Sequence, residues 1–324
     1  MTGTGRGVAI RIILALFALA IWCGGITPAH AASPNFFASV SAAGALVHGN
    51  NVSGTTHLGP GRYEVTFTSP VDSCAYVATT VRSGTQATTV FTASGHLSAN
   101  GVYIETKNQG GGLADFPFDL VVNCGLTGMS YAVVGYSADL VRSTAGVILT
   151  PLGGGRYNVT FPSTVSGCAF LATVGDPGSG IALVPNGVYT GSGPNGHTVY
   201  VETKNPGGGL ADGVPFHLVV VCAAAKQTHF AVVNASGIPA RGSKLTSSFK
   251  LDTGEYALVT NAAIGACAAV ATRGSVNKSV PFDPATVELV AGPGGTNTIG
   301  IEVKSLLFFG GDLVDEAFHA AIVC

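Results

Sequence analysis

Beyond its first thirty or so residues, the chain alternates apolar and polar positions in short runs broken by glycine-rich turns. In LGPGRYEVTF, Tyr63, Val65 and Phe67 fall on one face of a strand that follows a glycine turn, and in LGGGRYNVTF, Tyr157, Val159 and Phe161 do the same. CAYVATTV and CAFLATVG are rich in β-formers, and FHLVVVC puts Phe216, Leu218, Val220 and Cys222 on one face. Asn100-Gly101, Asn186-Gly187 and Asn195-Gly196 are hairpin-type dipeptides between further strands. No segment beyond the leader sustains a 3.6-residue apolar period with caps, so helices are not expected.

The pattern repeats. Ala38, Tyr63 and Cys74 recur as Ala132, Tyr157 and Cys168, and again as Ala231, Tyr256 and Cys267, at offsets of 94 and then 99 residues. Each copy closes on a second cysteine, Cys124, Cys222 or Cys324. Seven or eight short strands in about 90 residues predict an all-β chain of three tandem β-sandwich or jelly-roll-like modules. The expected boundaries are 32–126, 127–225 and 226–324. Because each copy must be able to pair its own two cysteines, the repeat predicts Cys74–Cys124, Cys168–Cys222 and Cys267–Cys324. The linkers, 8 residues from Cys124 to Ala132 and 9 from Cys222 to Ala231, are too short for free beads on a string. An end-to-end rod needs no closing interface and is the expected arrangement; closure about a pseudo-threefold axis is the alternative.

The unit, with VVNASG, G-x-G-x-Y-x-V-x-F, CAY-x-AT, ETKNPGGG and PFHLVVVC, resembles a repeat of secreted, mostly uncharacterised actinobacterial proteins. The LGPGRYEVTF hairpin is also similar to one in the carboxy-terminal domains of phage tail fibres and spikes. Neither resemblance implies a catalytic residue. The third copy departs most: it lacks the triple glycine, and Gly300 replaces the tyrosine of the other two.

The first 31 residues read as a signal peptide, with Arg6 and Arg11, an apolar run from Ile12 to Trp22 and an Ala29-His30-Ala31 cleavage site. Non-adjacent arginines favour the general secretory route, and Trp22 before Cys23 disfavours a lipoprotein. Cleavage near Ala31 leaves 293 of 324 residues, no tryptophan, and a formal charge that moves from −2 to −4 as the two arginines depart. A weakly acidic chain without a Lys/Arg cluster has no footprint for nucleic acid. No later segment reads as a membrane span. Six cysteines in a secreted chain fit a disulfide framework, and no CxxC pair suggests a metal or redox site.

VYIETKNQGGGLAD (102–115) and VYVETKNPGGGLAD (199–212) invite a chemical reading. Glu105 with Asp115, Glu202 with Asp212, and Glu302 with Asp315 could form glycosidase-like carboxylate pairs. Strand alternation instead places Tyr103, Glu105 and Lys107, like Glu202 and Lys204, on a solvated face opposite Val102, Ile104 and Thr106. On that reading Glu105, Lys107, Asp115, Glu202, Lys204 and Asp212 form a surface site, and Gln at Glu105 and Glu202 should cost no more than about 0.5 kcal/mol. His48, His57, His96, His197, His217, His229 and His319 show no metal-ligand spacing. His217 and His319 share a position with Asp119 that points away from the module core, and solvent exposure is expected there. No calcium loop, nucleophile elbow or phosphate loop occurs, so no cofactor is expected. The Asn-x-Ser/Thr matches at Asn51, Asn158, Asn234 and Asn277 carry little in a bacterial chain. These features point to a secreted non-catalytic protein whose modules pack on one another and bind a protein or cell-envelope component. A secreted hydrolase and an inhibitor or defence protein acting through the glycine loops are the competing readings.

Overall fold

Alternation of side chains across a strand leaves one face of every predicted strand apolar, and two such faces stack in each copy of the repeat. A computed structural model describes residues 1–3, 35–81, 84–181, 184–277, 284–307 and 311–324; the expected cleavage site and all of the expected signal peptide beyond residue 3 lie outside them. Module 1 contains β1 (Phe36–Val40), β2 (Leu46–Asn50), β3 (Val52–Gly59), β4 (Arg62–Phe67), β5 (Ala75–Thr80), β6 (Thr88–Ser94), β7 (Gly101–Asn108) and β8 (Phe118–Asn123). Module 2 contains β9 (Met129–Val134), β10 (Leu140–Ser143), β11 (Ile148–Pro151), β12 (Arg156–Thr160), β13 (Ala169–Asp176), β14 (Gly187–Ser192), β15 (Thr198–Lys204) and β16 (Phe216–Val221). Module 3 contains β17 (Thr228–Val233), β18 (Pro239–Ser243), β19 (Leu245–Asp252), β20 (Glu255–Thr260), β21 (Ala268–Arg273), β22 (Ala285–Ala291), β23 (Thr298–Ser305) and β24 (Phe318–Val323). The chain is all-β, and each module is a two-sheet sandwich.

In module 1 the sheets run β2-β1-β8-β5 and β3-β4-β7-β6, and the same order recurs in modules 2 and 3. Between the sheets lie Phe36, Ala38, Tyr63, Val65, Phe67, Tyr76, Phe118 and Leu120 in module 1, with counterparts in the others. Within each module one disulfide ties the start of β5, β13 or β21 to the end of β8, β16 or β24: Cys74–Cys124, Cys168–Cys222 and Cys267–Cys324. Closing loops of 50, 54 and 57 residues, each is worth about 4 kcal/mol in the chain-entropy account. Asn195-Gly196 sits in the β14–β15 hairpin, whereas Asn186-Gly187 ends a crossover between sheets, because β13 and β14 belong to different layers.

The modules do not string out into a rod. Their β2-β1-β8-β5-type sheets turn outer faces toward one another and bury a fourth core that none could form alone. Phe37, Val77 and Val121 of module 1 meet Tyr131, Leu171 and Val219 of module 2 and Phe230, Val270 and Ala321 of module 3. Three cyclically equivalent parallel contacts close the ring. β6 of module 1 pairs with β13 of module 2, Thr190 of module 2 bridges Gly274 of module 3, and Leu289 of module 3 bridges Val81 of module 1. The rod expectation fails because it treated the outer sheet faces as finished surfaces, whereas these carry Val, Leu and Phe.

Candidate functional site

The repeated ETKN-GGG-AD motif is the first candidate, and the structure gives its two carboxylates different partners. Glu105 is 1% exposed and Lys107 5% exposed, so the predicted solvated face is a buried one. Lys107 Nζ lies 2.9 Å from Glu105 Oε2, the Tyr103 hydroxyl donates to Glu105 Oε1 at 3.0 Å, and Arg62 approaches at 3.7 Å. In module 2, Lys204 pairs with Glu202 at 3.3 Å and the Tyr200 hydroxyl donates to Glu202 at 2.8 Å. The adjoining module supplies cover that strand periodicity cannot reveal: Val174, Val184 and Pro185 of module 2 lie by Lys107.

Asp115 does different work. Its Oδ1 accepts the Gly61 N–H at 2.6 Å and pairs with His57 at 2.9 Å, and these contacts hold its carboxyl below the usual range. Asp212 accepts from Gly155 and Asp315 from Gly254 in the same way. Gly61 has φ of 64°, and a Cβ there would stand 2.5 Å from the Thr106 carbonyl, so glycine is required beside the aspartate clamp. Asn108 and Asn205 close the glycine loops by accepting from Gly112 and Gly209. The motif is therefore a folding unit: a buried ion pair, a capped loop and a clamp on the tyrosine hairpin. We expect Glu105→Gln to cost about 2 kcal/mol by chemical denaturation, since it removes the charged partner of a buried ammonium, and not the 0.5 kcal/mol of a surface site. A change below about 0.5 kcal/mol would return Glu105 to the surface class.

The second candidate is the position shared by Asp119, His217 and His319. All three are buried, contrary to the exposed position expected from strand alternation. They belong to one rung of side chains that crosses each axial sheet: His48, Ser39, Asp119 and Thr79 in module 1. The rung is Arg142, Val133, His217 and Thr173 in module 2, and Arg241, Val232, His319 and Thr272 in module 3. Each rung lies along the edge strand of the neighbouring module. His217 Nδ1 accepts the Tyr76 N–H at 2.9 Å, His319 Nδ1 accepts that of Phe170 at 2.8 Å, and Asp119 accepts that of Ala269 at 2.7 Å. Thr173, Thr272 and Thr79 each accept the N–H and donate to the C=O of Ala78, Ala172 and Ala271 respectively. Arg142, Arg241 and His48 reach the carbonyls of Cys74, Cys168 and Cys267.

An open sheet edge presents unpaired N–H and C=O groups, and burying them without partners is costly. Here a row of side chains substitutes for the missing strand. Because Nδ1 accepts, Nε2 of each histidine carries the proton and donates to the carbonyl of Asp176 or Ser275. Burial, and then the nearby guanidinium of Arg142 or Arg241, hold His217 well below the ordinary imidazole range and His319 at about 3. Burial likewise raises Asp119 to about 6. The signal was in the sequence as polar residues recurring on strand faces, at offsets of 94 and 99 for Thr79, Thr173 and Thr272 and of 98 and 102 for Asp119, His217 and His319, yet their partners lie in other modules.

Among the described residues no cluster of His, Cys, Asp or Glu could hold a metal, and no helix is long and apolar enough to cross a membrane. Two larger hollows occur. A cup of about 480 Å³ at the linkers is lined by Asn35, Asn51, Leu126, Met129 and Gln227. A groove of about 540 Å³ lies on module 3 around Gly300.

Fold and site together define a class: an all-β ring of three unequal copies, each closed by its own disulfide, with polar residues of two recurring positions buried between modules. No family model, no curated protein and no solved structure matches the chain.

Proposed function

We propose that the chain is a secreted, non-catalytic binding or structural protein of the cell surface or extracellular space, in which three modules act as one block. The observation that supports this reading is the use made of the recurring polar residues. The glutamates neutralise buried lysines, the aspartates clamp hairpins, and the paired histidines cap a neighbour's edge strand. A hydrolase built on the hairpin carboxylates would need Glu and Asp to converge on one cleft. Instead they serve separate structural ends. Export to an oxidising compartment agrees with three disulfides formed within the modules.

The reading is tested by incubating the mature protein with its own cell-envelope fraction and with chromogenic glycosides, esters and peptides. Saturable retention on the envelope without turnover is the expected result. Turnover that disappears in a folded Glu202→Gln variant would replace it with the hydrolase reading.

A further inference from the structure

The three copies of the outer sheet differ at one place. Along the row that holds the motif glutamate, neighbouring strands present Arg62, Glu105 and Phe91 in module 1 and Arg156, Glu202 and Tyr189 in module 2. In module 3 the same row reads Glu255, Glu302 and Glu288. One rung further, Tyr103 and Tyr200 are replaced by Gly300, while Ala93 and Gly191 opposite them become Val290. The third copy has thus lost both the tyrosine hydroxyl that donates to the glutamate and the arginine that flanks it, and has gained two carboxylates, Glu255 and Glu288.

The space shows in the structure. The groove of about 540 Å³ is lined by Leu251, Glu255, Val290, Pro293, Gly300 and Glu302, with Val81 of module 1 at its border. Lys304 pairs with both Glu288 and Glu302, at 2.8 and 3.1 Å, whereas Glu255 is half-buried and has no ion pair among the described residues. The hollow therefore combines an apolar wall, the site of an absent ring, and a carboxylate where both sister modules place a guanidinium.

We propose that this groove binds a planar cation, a guanidinium or amidinium group carried on a flat apolar body, which takes the place of the missing arginine and tyrosine. A guanidinium fits a carboxylate through two parallel N–H donors, and its flat faces lie well on aliphatic walls. Leu251, Val290 and Pro293 supply the walls and Glu255 the charge. The ligand is either a small amidine or an arginine side chain offered by another protein. This assigns a ligand class to the binding reading above; its failure would remove this groove and leave the envelope-retention result to stand or fall separately.

The test is a calorimetric or NMR titration of the mature chain with benzamidine, its neutral counterpart benzamide, and a short arginine-containing peptide beside its citrulline analogue. Binding of the cation over its neutral partner is expected, with the small molecule and the peptide distinguishing the two sources. Glu255→Gln, at a position the fold does not use, should weaken binding about tenfold or more while thermal unfolding is unchanged. Restoring the module 1 residues by Glu255→Arg, Gly300→Tyr and Val290→Ala together should abolish it. Equal binding of charged and neutral probes, no binding at millimolar concentration, or unchanged binding in Glu255→Gln would each overturn the proposal.

Discussion

Lys304→Met is expected to destabilise the folded chain by about 3–5 kcal/mol, the cost of removing one partner from a buried ionic cluster. Lys304 is 2% exposed and sits between Glu288 and Glu302, which are 0% and 2% exposed. It also donates to the carbonyls of Gly84 at 3.1 Å and Gln86 at 3.4 Å, which belong to module 1. Glu288 in turn accepts from the N–H and hydroxyl of Thr88 in module 1. The cluster therefore joins the two modules that no linker connects, and methionine would remove the cation that Glu288 and Glu302 share. Burial already raises the Glu288 carboxyl. The deficit should accordingly shrink as the pH is lowered and that group takes up a proton. Urea unfolding with disulfides intact checks both parts, and adding Glu288→Gln should recover part of the loss. A loss under about 1 kcal/mol would place the cluster among exposed pairs of little worth.

Acid should open the ring, and the sign follows from three residues on equivalent rungs. His217 and His319 are held neutral in the fold, so an unfolded chain binds protons that the folded one refuses. Their contribution is complete above the ordinary imidazole value and is lost as the pH falls below about 6.5, at roughly 1.4 kcal/mol per unit for each histidine. Asp119 acts in the opposite direction. Its folded carboxyl, raised to about 6, keeps a proton that the unfolded chain releases, so its contribution declines as the pH rises from about 4 to about 6. On these rungs two histidines outweigh one aspartate, and their combined contribution to stability should fall between pH 6 and pH 4. Asp119→Asn keeps an oxygen to accept the Ala269 N–H without the buried charge. It should stabilise the chain at pH 8 by about 2 kcal/mol and steepen the acid loss. Denaturation midpoints across this range would contradict the rung if the variant and the parent ran in parallel.

The three seams are chemically distinct where they meet. Phe91 packs in one core with Val174 at the first, and Arg273 stands 5.5 Å from the Tyr189 ring at the second. At the third, Glu288 accepts from Thr88. Apolar, cation–π and carboxylate pairings cannot be exchanged without stranding a charge. The order of modules is thereby specified by more than the linkers.

Strand alternation, turn glycines and the spacing of Ala, Tyr and Cys were sufficient for the β-class, the threefold repetition and the three disulfides. Those features rest on local geometry or on contacts inside one copy, and a period of two reports faithfully which side chains enter a module's own core. Periodicity is silent about the opposite face. It says that Glu105, Asp119 and His217 leave the core, but not whether water or another module receives them. Only the tertiary structure decided that the axial faces with Phe37, Leu171 and Val270 meet one another and bury the rungs of Asp119 and His217 between them, while module 2 covers the motif glutamate and lysine of module 1. Open edge strands such as β5 then needed partners for their backbone groups, and the neighbour's histidine, threonine and arginine supplied them. The same closure left Gly300 over a hollow where its sister modules hold a tyrosine, a difference visible as one letter in the sequence but given its volume only by the fold.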